Sequence, residues 1–438
     1  MLKRLPILLV VLVVIGALAG AEANAAPAPK GNYIVVLNDS VADPGAVAAQ
    51  HARAFSGQVG HVYRHALTGY SVTLPNAALP ALRANPDVLF VSEDGDVRAT
   101  ELPTGIDRID ADRSSARSGD GRGSVNINVA VIDSGMGLDR QDLNVVGGID
   151  CVREGKQASF DDPYGHGTHV AGTIAAKDDG PDIPNDPLEI VGVVPGAPLW
   201  AVRVLMKNGF GTDSMVICGI DWVTATRADS DPSNDIAVAN MSIGDKGADD
   251  GNCGLTNRDA VHLAICNSVA SGVSYVVSAG NETGDLAAHT PAAYDEVLAV
   301  TAMSDFDGKP GALSSDTCPD GNVVDDAPAW FSNFATLPAD QAHTVAAPGV
   351  CIWSTYIAPF NAALTSGTSM SSPHVAGTVA LCIAKGPCAG LTPAQIIQRI
   401  VADAAAYNNA HSQYSFAGDP LRPVEGKYYG YLIRAGEY

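Results

Sequence analysis

From Val125 onward, short runs rich in Val and Ile alternate with stretches of helical pattern, and no other feature limits the fold of this chain so tightly. The apolar runs cover 125–132, 199–205, 236–243, 273–279 and 297–301, with helical patterns over 167–176, 214–225 and 258–271. A strand that is apolar at successive positions, rather than at alternate ones, is buried on both faces. Strands of this kind joined by helices run parallel, because a parallel pair needs a long crossover. The expected fold is therefore α/β: a parallel sheet with helices on both faces. A last helix is expected near 393–405, and the Tyr-rich tail to Tyr438 carries no chemical signal.

Two other textures come first. Lys3 and Arg4 precede an apolar run over 5–19, and Ala-x-Ala triplets follow at 21–23 and 23–25. This is the layout of a cleaved signal peptide, assigned to residues 1–25. The competing reading is an uncleaved anchor, but the run falls short of the roughly 20 apolar residues a spanning helix needs. Export, with no membrane partner, is the expectation. Residues 26–100 lack cysteine; strands at 33–38, 70–74 and 88–93 and helices at 46–54 and 78–84 fit a small α+β unit of plan β-α-β-β-α-β.

With 438 residues, 46% hydrophobic and 17% charged, the chain can hold one large domain plus accessory segments. Its formal net charge of -22 repels phosphate backbones and argues against a nucleic-acid partner. The cysteines, at 151, 218, 253, 266, 318, 351, 382 and 388, read as disulfides in an exported chain. Local spacing suggests Cys253–Cys266, Cys318–Cys351 and Cys382–Cys388, leaving Cys151–Cys218, although spacing does not fix connectivity. A zinc site would want a CxxC pair or an HExxH helix, and neither occurs.

Three blocks carry chemistry: VAVIDSG around Asp133, GHGTHVAGT around His166 and SGTSMSSPHVAG around Ser369. A serine hydroxyl needs an imidazole to take its proton, and that imidazole needs a buried carboxylate to fix its tautomer. Asp133 ends an apolar strand, where sites form in open parallel sheets; alone it would read as a turn residue before Ser134-Gly135. His166 opens a helix of very small residues. Ser369 stands at a helix start, beside free N–H groups that help an oxyanion, and Pro373 suits the first turn of a helix running to Ala384. A plain N-cap serine is the competing reading.

The Asp…His…Ser order and the length of these blocks resemble the subtilisin-like serine proteases of the subtilase family. That resemblance implies a secreted serine endopeptidase made as a zymogen. Residues 26–100 would be an inhibitory propeptide and 101–438 the catalytic domain, with a junction at Arg98-Ala-Thr-Glu-Leu-Pro. It makes Asp133, His166 and Ser369 the triad, and Asn281, in Ala279-Gly280-Asn281, the oxyanion donor at a buried strand end. His169, three residues past the base, is then a structural partner rather than a metal ligand. Ser242, Ile243 and Gly244 resemble one substrate-pairing strand, and Gly209, Phe210 and Gly211 the other. Ser278, Ala279 and Gly280 would line a roomy, apolar pocket with broad specificity. Asp245 and Glu282, at its rim, suggest a lean toward basic side chains.

Asp142 matches a family calcium ligand, and the acidic loop 177–189 offers Asp178, Asp179, Asp182, Asn185 and Asp186, hard oxygen donors for calcium. No organic cofactor is implied. Partners are protein and peptide substrates and the chain's own propeptide, with a monomer expected. Two other classes compete. A non-catalytic binding protein on the same scaffold would be expected to lack a triad residue, and an esterase or lipase would want a Gly-x-Ser-x-Gly elbow that is missing here.

Overall fold

The computed structural model describes residues 30–38, 40–94, 102–153, 158–180, 190–315, 318 and 323–438. The expected signal peptide, most of the expected junction and the acidic donors Asp182, Asn185 and Asp186 lie outside the described residues. The chain divides into two compact units, Met1–Arg98 and Ala99–Tyr438.

In the first unit, strands Lys30–Leu37, Gln58–Tyr63, Gly69–Pro75 and Val88–Glu93 form an antiparallel sheet with Lys30–Leu37 and Gly69–Pro75 in the middle. Helices Pro44–Ala54 and Leu79–Arg83 complete the expected β-α-β-β-α-β plan. Asp43 caps the first helix, accepting from the N–H groups of Gly45 and Ala46. Gln58–Tyr63 is the strand that sequence did not delimit; all six of its side chains are at least partly exposed, so no apolar run marks it.

The second unit is built on a sheet of eight parallel strands. Their spatial order is Tyr431–Leu432, Thr344–Pro348, Leu298–Ser304, Ser274–Ser278, Val238–Met241, Val129–Asp133, Leu199–Arg203 and Val145–Asp150. Ala327–Pro328 adds a short antiparallel strand beside Leu298–Ser304. Helices His166–Ala175 and Thr368–Ala384 pack on one face, over Val129, Val131, Val238 and Val276. Helices Asp213–Thr226 and Ala260–Ala270 cover the other, over Ala130, Ile132, Ala239, Tyr275 and Val277. Strand side chains alternate between faces. Asp133, two residues after Val131, therefore points toward the face that carries His166.

The edge strand Val145–Asp150 was not foreseen. Its Gly147-Gly148 pair breaks any apolar run, because a Cβ on Gly147 would meet the Trp200 ring at 2.5 Å and one on Gly148 would strike the Ala201 backbone. The four expected disulfides are present, and no cysteine is free. Among the described residues no helix is long and apolar enough to cross a membrane.

The tail is part of the fold. Tyr431–Leu432 pairs with Thr344–Pro348, the Ala435 N–H donates to Ile109 O at 2.8 Å, and the Ser115 N–H donates to Tyr438 O at 2.6 Å. Arg434 Nε donates to Asp110 Oδ2 at 2.6 Å. Further in, the fully buried Arg108 donates to Asp326 Oδ1 at 2.9 and 2.8 Å and to Tyr414 O at 2.7 Å.

Candidate active site

Asp133 is the last residue of its strand and is wholly buried. His166 begins its helix, and its Nδ1 lies 2.8 and 2.9 Å from the two Asp133 oxygens. The pairing assigns the ring proton to Nδ1 and turns the Nε2 lone pair outward, as a general base requires. Burial draws the imidazole pKa down. The charge and hydrogen bond of Asp133, with the charge of Asp162, outweigh it, and the net shift from 6.5 is upward. Gly167 must be glycine for this approach, because a Cβ there would strike the Gly135 carbonyl.

Asp162 holds the strand end and the helix start together. Its Oδ1 accepts from Ser134 Oγ and from the N–H groups of Tyr164 and Gly165; its Oδ2 accepts from the Thr168 N–H and hydroxyl. Ser134 Oγ in turn accepts the Gly167 N–H at 2.9 Å. Sequence reading missed this carboxylate. Asp162 stands three residues before the N-cap, which is Gly165, so the pattern of a helix start does not mark it. His169 has the structural role expected of it. Its Nε2 lies 3.0 Å from Ile352 O and 2.9 Å from Thr365 Oγ1, and burial lowers its pKa to about 4.

Ser369 is the second residue of helix Thr368–Ala384, where backbone N–H groups have no intrahelical acceptor. Its hydroxyl donates to Ser242 O at 3.1 Å and not to His166. Pro373 lies inside the helix and not in its first turn. A proline has no N–H for the carbonyl four residues earlier, which is that of Ser369. That carbonyl accepts from Ser242 Oγ instead, at 2.8 Å.

Asn281 differs from expectation in its setting: it is exposed, three residues past the end of strand Ser274–Ser278. Two hydrogen bonds fix its amide. Oδ1 accepts from the Thr368 N–H at 2.8 Å and from Thr368 Oγ1 at 3.1 Å, leaving Nδ2 to donate beside the start of the Ser369 helix.

Comparison with known proteins decides the family. Residues 124–417 match the model of the subtilase family, and residues 32–100 match that of peptidase inhibitor I9. The chain belongs to the subtilase family. It is similar to subtilisin E of Bacillus subtilis, 33% identical over 345 residues that span 78% of this chain and 76% of that protein. An extracellular serine proteinase of a Thermus species is 32% identical, over 83% of this chain and 78% of its own. Among solved structures, a cold adapted subtilisin-like serine proteinase aligns with 77% of this chain and 99% of its own, at 26% identity and a TM-score of 0.52. This subtilase is a serine endopeptidase, a hydrolase made as a zymogen with an inhibitory propeptide.

A cleft of about 840 Å³ opens beside His166, lined on one side by Gly209, Phe210 and Gly211 and on the other by Ser242, Ile243 and Gly244. Gly209 closes a turn, its N–H on Met206 O and Phe210 O on the Met206 N–H, so this subtilase has a turn where a free strand was expected. Phe210 is exposed at its tip. Ser278 and Ala279 are buried and do not line this cleft. Their segment is tied down, with the Gly280 N–H on Thr368 Oγ1 and Asn333 Nδ2 on Ala279 O. The imidazole of His289 stands beside Gly244 and Gly280, and Asn333 and Glu282 also lie against Gly280.

The expected calcium donors fare unevenly. Both oxygens of Asp178 are spent on the N–H groups of Gly119 and Gly121, at 3.0 and 2.9 Å. The carbonyl of Asp142 accepts the Lys177 N–H at 3.0 Å, and among the described residues Asp142 joins no cluster of three acidic or imidazole ligands.

Proposed function

We propose that Ser369 is the nucleophile of this endopeptidase, His166 its general base and acid, and Asp133 the carboxylate that orients the imidazole. The observation that carries this reading is the His166 ring held against both oxygens of a fully buried Asp133. The Ser369 hydroxyl turns from Ser242 O toward Nε2 as substrate binds, gives up its proton and attacks the peptide carbonyl. The oxyanion is held by Asn281 Nδ2 and the Ser369 N–H, donors aimed before charge develops. His166 then protonates the leaving amine, and water releases the acyl group from Ser369. Substrate main chain lies between 209–211 and 242–244, which reads backbone more than side chains and favours broad specificity.

The surrounding assignments are part of the same proposal. Residues 1–25 direct export, 26–100 are the propeptide removed during activation, and 101–438 act as an extracellular monomer without an organic cofactor. Asp142 is carried as a proposed calcium ligand, supported by its match to the family ligand and by the hydrogen bond from the Lys177 N–H to its carbonyl. An unchanged unfolding temperature on chelation removes that assignment.

The deciding experiment is Ser369→Ala. The variant should lose casein hydrolysis, lose labelling by a fluorophosphonate and accumulate as uncut precursor. Casein hydrolysis at the parent rate sinks the assignment. N-terminal sequencing of the active parent locates both cleavage points.

A further inference from the structure

Parallel strands give the large sheet two edges of different chemistry. Asp133 stands where its strand ends, whereas Asp295 and His343 stand just before strands Leu298–Ser304 and Thr344–Pro348 begin. These two residues therefore lie at the opposite edge from the triad. The Ala299 N–H donates to His343 O at 2.9 Å and ties the two strand starts together. Asp340, in the short helix Pro338–Gln341, joins them, and one ligand atom from each of the three lies within 4.8 Å of the others.

Two of these side chains are buried with polar atoms left over. His343 is 3% exposed, and its Nε2, 3.8 Å from Asp295 Oδ1, has no hydrogen-bond partner. Asp340 is 4% exposed, and its Oδ2 has none either. Such atoms call for a ligand that completes them. Burial draws the His343 pKa below 6.5 against the charge of Asp295, so the ring is neutral at pH 7 and has a lone pair to offer. Burial, with the charges of Asp285, Asp295 and Asp249, pushes Asp340 up to about 6, a repulsion that a bound cation would relieve. A cavity of about 250 Å³ opens on the cluster, with Asp295, His343 and Gln398 as its polar lining. Asp295 stands at the mouth, its side chain 54% exposed and able to turn inward.

We propose that Asp295, Asp340 and His343 bind one divalent transition-metal ion of the zinc class. The cavity leaves room for water or the Gln398 side chain as a fourth ligand. One imidazole with two carboxylates suits such an ion, whereas calcium takes about six to eight oxygens and gains nothing from a ring nitrogen. Tetrahedral zinc holds its ligand atoms about 3.3 Å apart, so the 3.8 Å between His343 and Asp295 needs only a small closure. At this edge the ion is structural: it clips the starts of two neighbouring strands to the helix that precedes one of them. The inference goes beyond the protease reading and does not rest on it.

The test uses the full chain carrying Ser369→Ala to prevent self-digestion, stripped with EDTA, dialysed and titrated with zinc chloride by calorimetry. One equivalent should bind and raise the unfolding temperature. Asp340→Asn and Asp295→Asn should each weaken zinc binding by about 10-fold or more. Asp340→Asn also removes a buried like charge, so in EDTA it should unfold no earlier than the parent. Asp295→Asn changes a half-exposed residue and keeps the test decisive if the buried variant folds poorly. Calcium chloride at about 100-fold excess should leave the zinc in place, as expected for a site with a nitrogen ligand. A parent that binds no zinc, binding that survives both substitutions, or displacement of zinc by calcium overturns the proposal.

Discussion

The Ser242 hydroxyl donates to the Ser369 carbonyl at 2.8 Å, in the place that a helical N–H would occupy if residue 373 were not proline. The bond is the end of a buried relay. Ser372 Oγ donates to Asn240 Oδ1 at 2.7 Å, and Asn240 Nδ2 donates to Ser242 Oγ at 2.9 Å. Strand Val238–Met241 and helix Thr368–Ala384 are thereby held in one register at the proposed nucleophile.

Asn240→Ala should destabilise the fold by about 1–3 kcal/mol, because it leaves two buried hydroxyls short of partners. Urea unfolding in a Ser369→Ala background, which removes self-digestion, measures this directly. A loss below experimental error would mean that the relay is not coupled to stability.

If Asn281 holds the oxyanion as proposed, Asn281→Ala should lower kcat by about 10²–10³ with little change in KM, the magnitude for removing one oxyanion donor. Because Asn281 also accepts from Thr368, the comparison with Asn281→Asp is informative. Aspartate keeps the acceptor and presents a negative charge to the oxyanion, so kcat should fall at least as far while unfolding stays close to that of the parent.

The pH profile follows from His166. Its folded pKa is raised above 6.5, so imidazolium is favoured and the free base is lost as pH falls through that raised value. The acid limb of kcat/KM should therefore begin above pH 6.5. Asp133→Asn removes the charge that raises it, and the limb should move to lower pH while kcat drops by about 10⁴ through the wrong tautomer. An unmoved limb would assign the titration to another group.

How much of this was legible depended on whether the physics was local. The three blocks and the place of Asp133 at the end of its strand were readable, because each follows from a short stretch of chain. The exposure of Asn281 was not, since an apolar strand that stops three residues early looks the same in sequence. Pro373 looked like a first-turn proline because the helix start is set by Thr368 bonding to Asn281, a contact 87 residues away. His289 belongs to no recognisable block; its place comes from a ladder with Asp245–Lys246 that only the folded chain reveals.

Arg108→Ala should cost about 3–5 kcal/mol, the penalty for breaking a buried pair and stranding its carboxylate. The charge at stake is that of Asp326, hydrogen-bonded to the guanidinium; Asp305, 3.6 Å away, has its pKa pushed up to about 8 by burial against the pull of Arg108, and is mostly protonated near pH 7. A shift smaller than about 1 kcal/mol in chemical unfolding would show that water reaches the cluster.

The clasp between Tyr438, Arg434 and the segment Ile109–Ser115 ties the C-terminal stretch of the second unit to its N-terminal stretch. Force applied at one end is borne by the other. A tether or fusion partner joined directly to Tyr438 would therefore load the N-terminal stretch of the second unit, and a spacer would be needed to keep that strain off the sheet edge at Tyr431–Leu432.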